Sequence, residues 1–426
     1  DRARAMFPLV PEDWQALAAA RLALQARAPG VDALIEAVPA ALQDDPGLAH
    51  DRFIWRVRSG FWDTAGDLMG ERSTSAESLG RPSAWADRRA DLARDVMREG
   101  EFDTCYTYAA NHHVTPEADY LAFAELEWLA GYCAYRLGRY DTAIGHFEPF
   151  RDTVFSPISM GRAGYWLGRA HRAAGNDEAA ARAFALGAQY QSSFYGQLAA
   201  EAGGLPADPG FLADEDYGPW RNASFTGSSV FLAALLLYEA DERNLAERFL
   251  THLTESLSRV EAGQLGDFAL DLGNPHIALR IAKRAAQNGH EIMRAYYPVA
   301  DFARADLPID AALALSIARR ESEFDPGVTS GAGAMGLMQV MPGTGRDTAG
   351  ALGIDYSQSR LLSDPDYNLL LGATYIEGLI DRFDGNLVLV SIGYNAGPRR
   401  ASDWIERFGD PREAEDIVFW IEALPF

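Results

Sequence analysis

The stretch "ARRESEFDPGVTSGAGAMGLMQVMPGTG" (318–345) joins a helical pattern to a loop crowded with Gly, Ala and Met, and Glu321 and Glu323 stand at the join. Upstream, in "IDAALALSIARRES" (309–322), Leu313, Ile317 and Glu321 recur at a spacing of four. On a helix that spacing puts them on one face. Glu321 therefore extends an apolar stripe, while Glu323 points elsewhere. A carboxyl on an apolar face loses hydration, which raises its pKa towards the range of a general acid. Pro326 is expected to end the helix shortly afterwards, leaving Glu321 at the helix end beside the glycine loop. Periodicity alone also accommodates an ordinary amphipathic-helix carboxylate at the edge of the stripe.

Other chemistries do not fit this loop. A phosphate-binding loop of the GxxxxGK[ST] type needs a Lys, and the loop has none. There is no HExxH zinc motif and no GxSxG nucleophile elbow. The adjacent His112 and His113 lack partners at ligand spacing, so neither a metal site nor any other cofactor is expected.

The rest of the 426-residue chain sets the frame. It is 48% hydrophobic and 23% charged, as in a globular protein of two or three domains. The net charge of −23 argues against nucleic acid and against an anionic membrane surface as partners. The longest apolar run, "VFLAALLLY" (230–238), falls far short of the roughly 20 residues that a membrane-spanning helix needs. The chain begins with Asp and shows no leader pattern, so a leader does not reveal the compartment. Cys105 and Cys133 are too few for a disulfide scaffold. Two buried thiols are the simpler expectation, and an oxidising compartment would let them pair. Lys283 is the only lysine.

Helical periodicity dominates. "SGFWDTAGDLM" (59–69), "EGEFDTCYTYA" (99–109), "LGRYDTAIGHF" (137–147) and "AGNDEAAARAF" (174–184) superimpose on Gly60, Gly100, Gly138 and Gly175, at spacings of 40, 38 and 37 residues. A small residue follows five places on, at Ala65, Cys105, Ala143 and Ala180. Such a unit reads as a helix ended by a left-handed Gly and a second helix packed close by its small residue. Units of this kind stack into a solenoid of the tetratricopeptide-like type. The Pro-, Gly- and Asp-rich "GGLPADPGFLADEDYGPW" (203–220) breaks the pattern.

With Glu321–Ser322, Ser330, Gly333–Ala334, Gly336–Leu337–Met338–Gln339 and Met341–Pro342 in order, the opening stretch resembles the signature of the soluble lytic transglycosylases. Their catalytic domain is goose-type-lysozyme-like (glycoside hydrolase family 23). Tyr394–Asn395–Ala396–Gly397–Pro398 and Glu422–Ala423–Leu424–Pro425–Phe426 are similar to two further family blocks, and "SSFYGQLAAE" (192–201) to the block that closes the family's superhelix. The resemblance implies a mainly α protein with an N-terminal, ring-shaped α-superhelix and a C-terminal lysozyme-like α domain. The implied domains are a superhelix over 1–205, a helical linker domain over 206–293 and the catalytic domain over 294–426. The family pattern continues past the Pro-Phe block, so the C-terminal end is expected to be truncated at Phe426.

The implied activity is cleavage of the β-1,4 bond between N-acetylmuramic acid and N-acetylglucosamine in peptidoglycan, without water. The muramic C6 hydroxyl attacks C1 and leaves a 1,6-anhydro end. One carboxyl suffices for this, whereas ordinary glycosidases use two, about 5–5.5 Å apart for retention or about 6.5–9.5 Å for inversion. By resemblance Glu321 is the acid and then the base, Ser330 and Tyr394 support it, and Met338, Gln339, Met341, Asn395 and Glu422 contact substrate. Asp325 and Asp347 are the nearest acidic rivals, and Asp325 reads better as a turn residue in "FDP". Glycan strands and muropeptides are the expected partners, with cell-wall synthesis proteins beside them and no membrane span. The implied location is the Gram-negative periplasm and the implied mode exo-acting. Two rivals are a hydrolytic goose-type lysozyme and a helical scaffold with a dead catalytic domain.

Overall fold

A computed structural model describes residues 2–301 and 306–425. Among these residues every regular element is helical, and the only β pairing is a pair of isolated bridges in the glycine loop. The chain divides into two compact units, one of residues 1–208 with the segment from Val418 onward, the other of residues 209–417.

The first unit is built of helical hairpins. After α1 (Glu12–Gln25) come α2 (Pro46–Arg58) with α3 (Trp62–Arg72), α4 (Pro82–Arg98) with α5 (Phe102–Ala110), α6 (Tyr120–Arg136) with α7 (Tyr140–Thr153), and α8 (Pro157–Ala173) with α9 (Asp177–Gly187). A closing helix, α10 (Phe194–Gly203), follows. The four repeat glycines sit in these hairpin turns with φ of 81°, 82°, 72° and 80°, a region that a Cβ disfavours. The small residues five places on, Ala65, Cys105, Ala143 and Ala180, are all buried where the two helices meet.

The hairpins also carry a reciprocal signal that the sequence reading did not use. Seven residues before the turn glycine and nine after it, the chain places Gly131 with Phe147 and Gly168 with Phe184. A Cβ on either glycine would come within 2.5 Å of the facing Phe ring. Each glycine is thus the hole for one aromatic knob, and both rings are fully buried.

Cys105 and Cys133 are joined in a disulfide between α5 and α6, across 28 residues of sequence. This replaces the expectation of two free thiols. Nothing in their spacing revealed the pairing, which the side-by-side packing of two hairpins creates.

In the second unit α11 (Ser229–Glu239), α12 (Arg243–Leu253), α13 (Arg259–Asp271) and α14 (Pro275–Gln287) enclose one core that includes Phe231, Leu250, Phe268 and Ile281. Beyond it lie α15 (Ala311–Glu321), α16 (Pro342–Leu352), α17 (Pro365–Arg382), α18 (Leu387–Ala396) and α19 (Pro398–Phe408). From Val418 onward the last helix, α20 (Ile417–Glu422), belongs to the first unit, within which Phe419 stacks on the Trp166 ring and the Arg136 and Arg169 guanidinium groups lie 4.2 and 4.7 Å from its centroid.

Closing a loop of this length restricts the unfolded chain by about 3.5 kcal/mol. Replacing Cys105 and Cys133 together with Ala is expected to lower the unfolding free energy by about that amount. Denaturant titration of the oxidised protein and of the variant checks it.

Candidate functional site

Glu321 is the last residue of α15. The fully packed face of that helix is Ala314 and Ala318, continued by Ser322, while Leu313, Ile317 and Glu321 are only half-buried. The apolar stripe in the sequence is therefore the rim beside the core face. That placement leaves a carboxyl desolvated yet reachable.

The Glu321 carboxyl has no hydrogen bond or ion pair among the described residues. Burial raises its pKa above the ordinary carboxyl value, and the neighbouring Arg320 offsets part of the rise. Its position at a helix C-terminus, where the peptide dipoles present negative charge, acts in the same direction as burial. Among the described residues no second carboxylate contributes to its electrostatic environment. Asp325 accepts the Gly327 amide at 2.9 Å, a turn bond, and Asp347 is exposed on α16.

The glycine loop beside it is closely tied. Met335 pairs with both Thr329 and Val340 in antiparallel bridges, and the Gly336 amide donates to the Val328 carbonyl at 2.9 Å. Gly336 has φ of 75°, and a Cβ there would sit 2.0 Å from the Leu361 carbonyl oxygen, so the position excludes any other residue. Buried side chains then fasten successive loop carbonyls. The Ser322 hydroxyl donates to the Leu337 carbonyl at 2.7 Å, which ties the end of α15 to the loop. The Tyr394 hydroxyl donates to the Met338 carbonyl at 2.6 Å. Burial raises the phenol's pKa strongly, and the charge of Glu321 adds to the rise, so Tyr394 stays a neutral donor.

The third fastening is Asn368 on α17, which is fully buried. Its Nδ2 donates to the carbonyls of Met335 and Leu361 at 2.7 and 2.9 Å, and its Oδ1 accepts the Met338 amide at 2.8 Å. The sequence reading missed this residue. The available signal was a lone carboxamide on the stripe shared with Leu371, Gly372 and Tyr375, where a polar group must find partners inside.

The other expected residues separate. The Gln339 carboxamide donates to the carbonyls of Val328 and Gly336, with its own backbone in the left-handed region at φ of 49°. Met341 and Asn395 are exposed beside this loop and at the end of α18. Met338 differs from expectation, because its side chain is wholly buried against Gly372. The Ser330 hydroxyl accepts the Ala334 amide at 3.0 Å and so shapes the loop's turn, instead of reaching Glu321. Glu422 also departs from expectation. It lies in the first unit, ion-paired with Arg162 at 2.7 Å and bonded to Tyr195, with its side chain only 7% exposed. It is not open to a stem peptide in this arrangement.

Comparison with known proteins bears on this geometry. Residues 299–417 match the transglycosylase SLT domain. The soluble lytic murein transglycosylase of Escherichia coli (strain K12) is 33% identical over 189 residues, which are 43% of this chain and 28% of that protein. The membrane-bound lytic murein transglycosylase C of Haemophilus influenzae (strain PittGG) is 31% identical over 163 residues, 36% of this chain and 43% of that protein. The chain thus spans less than half the length of either relative. Among solved structures, an inactive mutant of the lytic transglycosylase Slt from Pseudomonas aeruginosa has a TM-score of 0.60 at 21% identity, covering 97% of this chain and 70% of that one. The 70 kDa soluble lytic transglycosylase of Escherichia coli gives 0.52 at 19% identity, covering 100% and 77%. These likenesses show the fold, a helical superhelix with a lysozyme-like α domain. The C-terminal part of the chain carries a transglycosylase SLT domain, the family that its motifs resemble.

Two outcomes are expected. Asn368→Ala strands one amide and two carbonyls inside the protein, so it is expected to cost about 3 kcal/mol in denaturant unfolding and to reduce turnover. For Glu321, the folded-state pKa lies above the unfolded one. Ionisation therefore costs stability at any pH above the folded value and nothing below the unfolded value. Glu321→Gln is expected to melt at a higher temperature than the parent at mildly alkaline pH, with the gain fading as the pH falls to about 4. Paired thermal melts across pH check it.

Proposed function

We propose that this chain is a peptidoglycan lytic transglycosylase in which Glu321 serves first as acid and then as base. The observation that carries the reading is a half-buried carboxyl at a helix end, its pKa raised by burial, with no partner and no second carboxylate acting on it among the described residues. In the first step Glu321 gives its proton to the glycosidic oxygen, the C1–O4 bond breaks, and N-acetylglucosamine leaves. The positive charge that develops at muramic C1 has no enzymic nucleophile to meet it. The substrate's own acetamido oxygen takes that place. In the second step the C6 hydroxyl attacks C1, its proton passes to the Glu321 carboxylate, and the enzyme is restored with a 1,6-anhydro product.

Tyr394 holds the loop carbonyl beside the carboxyl, and its own burial keeps it from ionising and repelling the charged form of Glu321. Gln339, Met341 and Asn395 are the groups assigned to sugar contact, and Ser330 supports the site through the loop's turn. The domain reading that accompanies this function is a superhelix over 1–205, a linker domain over 206–293 and the catalytic domain from 294. Exo action is part of this reading, as the mode that the family resemblance implies. The Cys105–Cys133 disulfide favours an oxidising compartment, as does a murein substrate, and both fit the periplasm.

The products test the reading. Mass spectrometry of digested sacculi is expected to give 1,6-anhydro muropeptides, one water lighter than reducing ends, and small muropeptides from the earliest times. Reducing ends as the main product would instead mean a hydrolytic, goose-type lysozyme. Glu321→Gln is expected to lose turnover by about 10²-fold or more while still binding glycan. The alkaline limb of kcat/KM in the parent protein is expected above the ordinary glutamate range, because the acid must be protonated to act.

A further inference from the structure

Glu323 lies two residues beyond Glu321, at the position after the helix cap where a left-handed conformation is normally taken by Gly. Here Glu323 has φ of 52° and Phe324 follows at 66°, so two residues with Cβ atoms reverse the chain directly after the proposed acid. A side chain kept where Gly costs least points to a use for that side chain.

Its use is visible on α14. His276, Arg280 and Lys283 fall on one face of that helix at i, i+4 and i+7. Arg280 Nη1 donates to one Glu323 carboxylate oxygen at 3.0 Å, and the Lys283 ammonium pairs with the other. His276 Nδ1 donates to the Glu323 backbone carbonyl at 2.8 Å. Glu247 on α12 braces the group, taking Arg280 Nε at 2.8 Å and facing His276 Nε2 at 3.3 Å. An acceptor at each ring nitrogen favours the imidazolium form of His276. Burial opposes its charge, but the bonds to Glu247 and to the Glu323 carbonyl outweigh that and raise its pKa. Asp325 also faces it.

We propose that Glu323 is a positioning residue, and that the clamp of Lys283, Arg280 and His276 holds the reversed backbone that sets Glu321 on its rim. The inference rests on Glu321 being the acid. The clamp acts by fixing where the carboxyl stands. Loosening it lets Glu321 move towards water. The acid's pKa then falls towards the ordinary value, with Arg320 and Tyr394 as the groups left beside it.

Glu323→Gly separates this role from a merely structural one, because it removes the clamp and relieves the left-handed strain together. It is expected to keep a cooperative thermal transition, to lose about 10- to 100-fold in kcat with little change in KM, and to shift the alkaline limb of kcat/KM to lower pH. Lys283→Met is expected to show the same pattern, and Lys283→Arg to recover most of the loss. Because Lys283 is the only lysine, wild-type protein offers a second route that avoids any folding problem. Acetylation removes the charge and reductive methylation keeps it, the N-terminal amine being modified in both. Only the acetylated protein is expected to lose kcat, and the Lys283→Arg variant treated alongside reports the effect of the N-terminus. Parental kcat and pH profile in Glu323→Gly and in acetylated protein, with Glu321→Gln inactive, would overturn the clamp and leave the function standing. Undiminished turnover in Glu321→Gln would overturn the function, and the clamp's role with it.

Discussion

A carboxyl that is half out of water, with no partner among the described residues, is the constraint around which this part of the second unit is arranged. Proteins rarely leave such a group, because an ionised carboxylate loses more by desolvation than the surrounding dipoles return. Polar groups that could have neutralised Glu321 are close at hand in the chain, yet each is engaged elsewhere. Ser322 bonds the Leu337 carbonyl, Tyr394 the Met338 carbonyl, and Ser330 the Ala334 amide. Glu323, two residues on, takes two cations for itself. The neighbourhood is satisfied around Glu321 and not by it, and only the charge of Arg320 offsets its desolvation among the described residues.

The loop that looked loose by composition is the rigid part. Glycine at 336 serves a close approach to the Leu361 carbonyl, and Asn368 on α17 bonds that same carbonyl. A segment held by buried bonds on its carbonyls is already ordered before it meets any ligand. That accounts for apolar and glycine-rich composition next to catalysis without invoking mobility.

The solenoid of the first unit obeys a different economy. Its hairpins need a left-handed residue at the turn, a small residue at the crossing and, in two of them, a glycine hole for a Phe knob. These are local demands repeated at nearly constant spacing, which is why the glycines aligned in the sequence. The disulfide and the docking of Phe419 and Glu422 are not local. They join positions that only stacking brings together, and Glu422 was misread for that reason, since a carboxylate in a family block looks the same whether it meets a ligand or an arginine of its own chain.

The amino-acid sequence by itself determined the helical class, the repeat, the position of Glu321 at a helix end on an apolar stripe, and the family of the C-terminal domain. Each follows from short-range periodicity or from ordered motifs. Tertiary structure alone decided that Met338 is core, that Ser330 serves its own turn, that Asn368 clamps the loop and that Lys283, Arg280 and His276 hold Glu323. These roles depend on which polar group reaches which carbonyl or charge across elements distant in sequence. A carboxamide or a lysine carries no mark of its partner until the helices are packed.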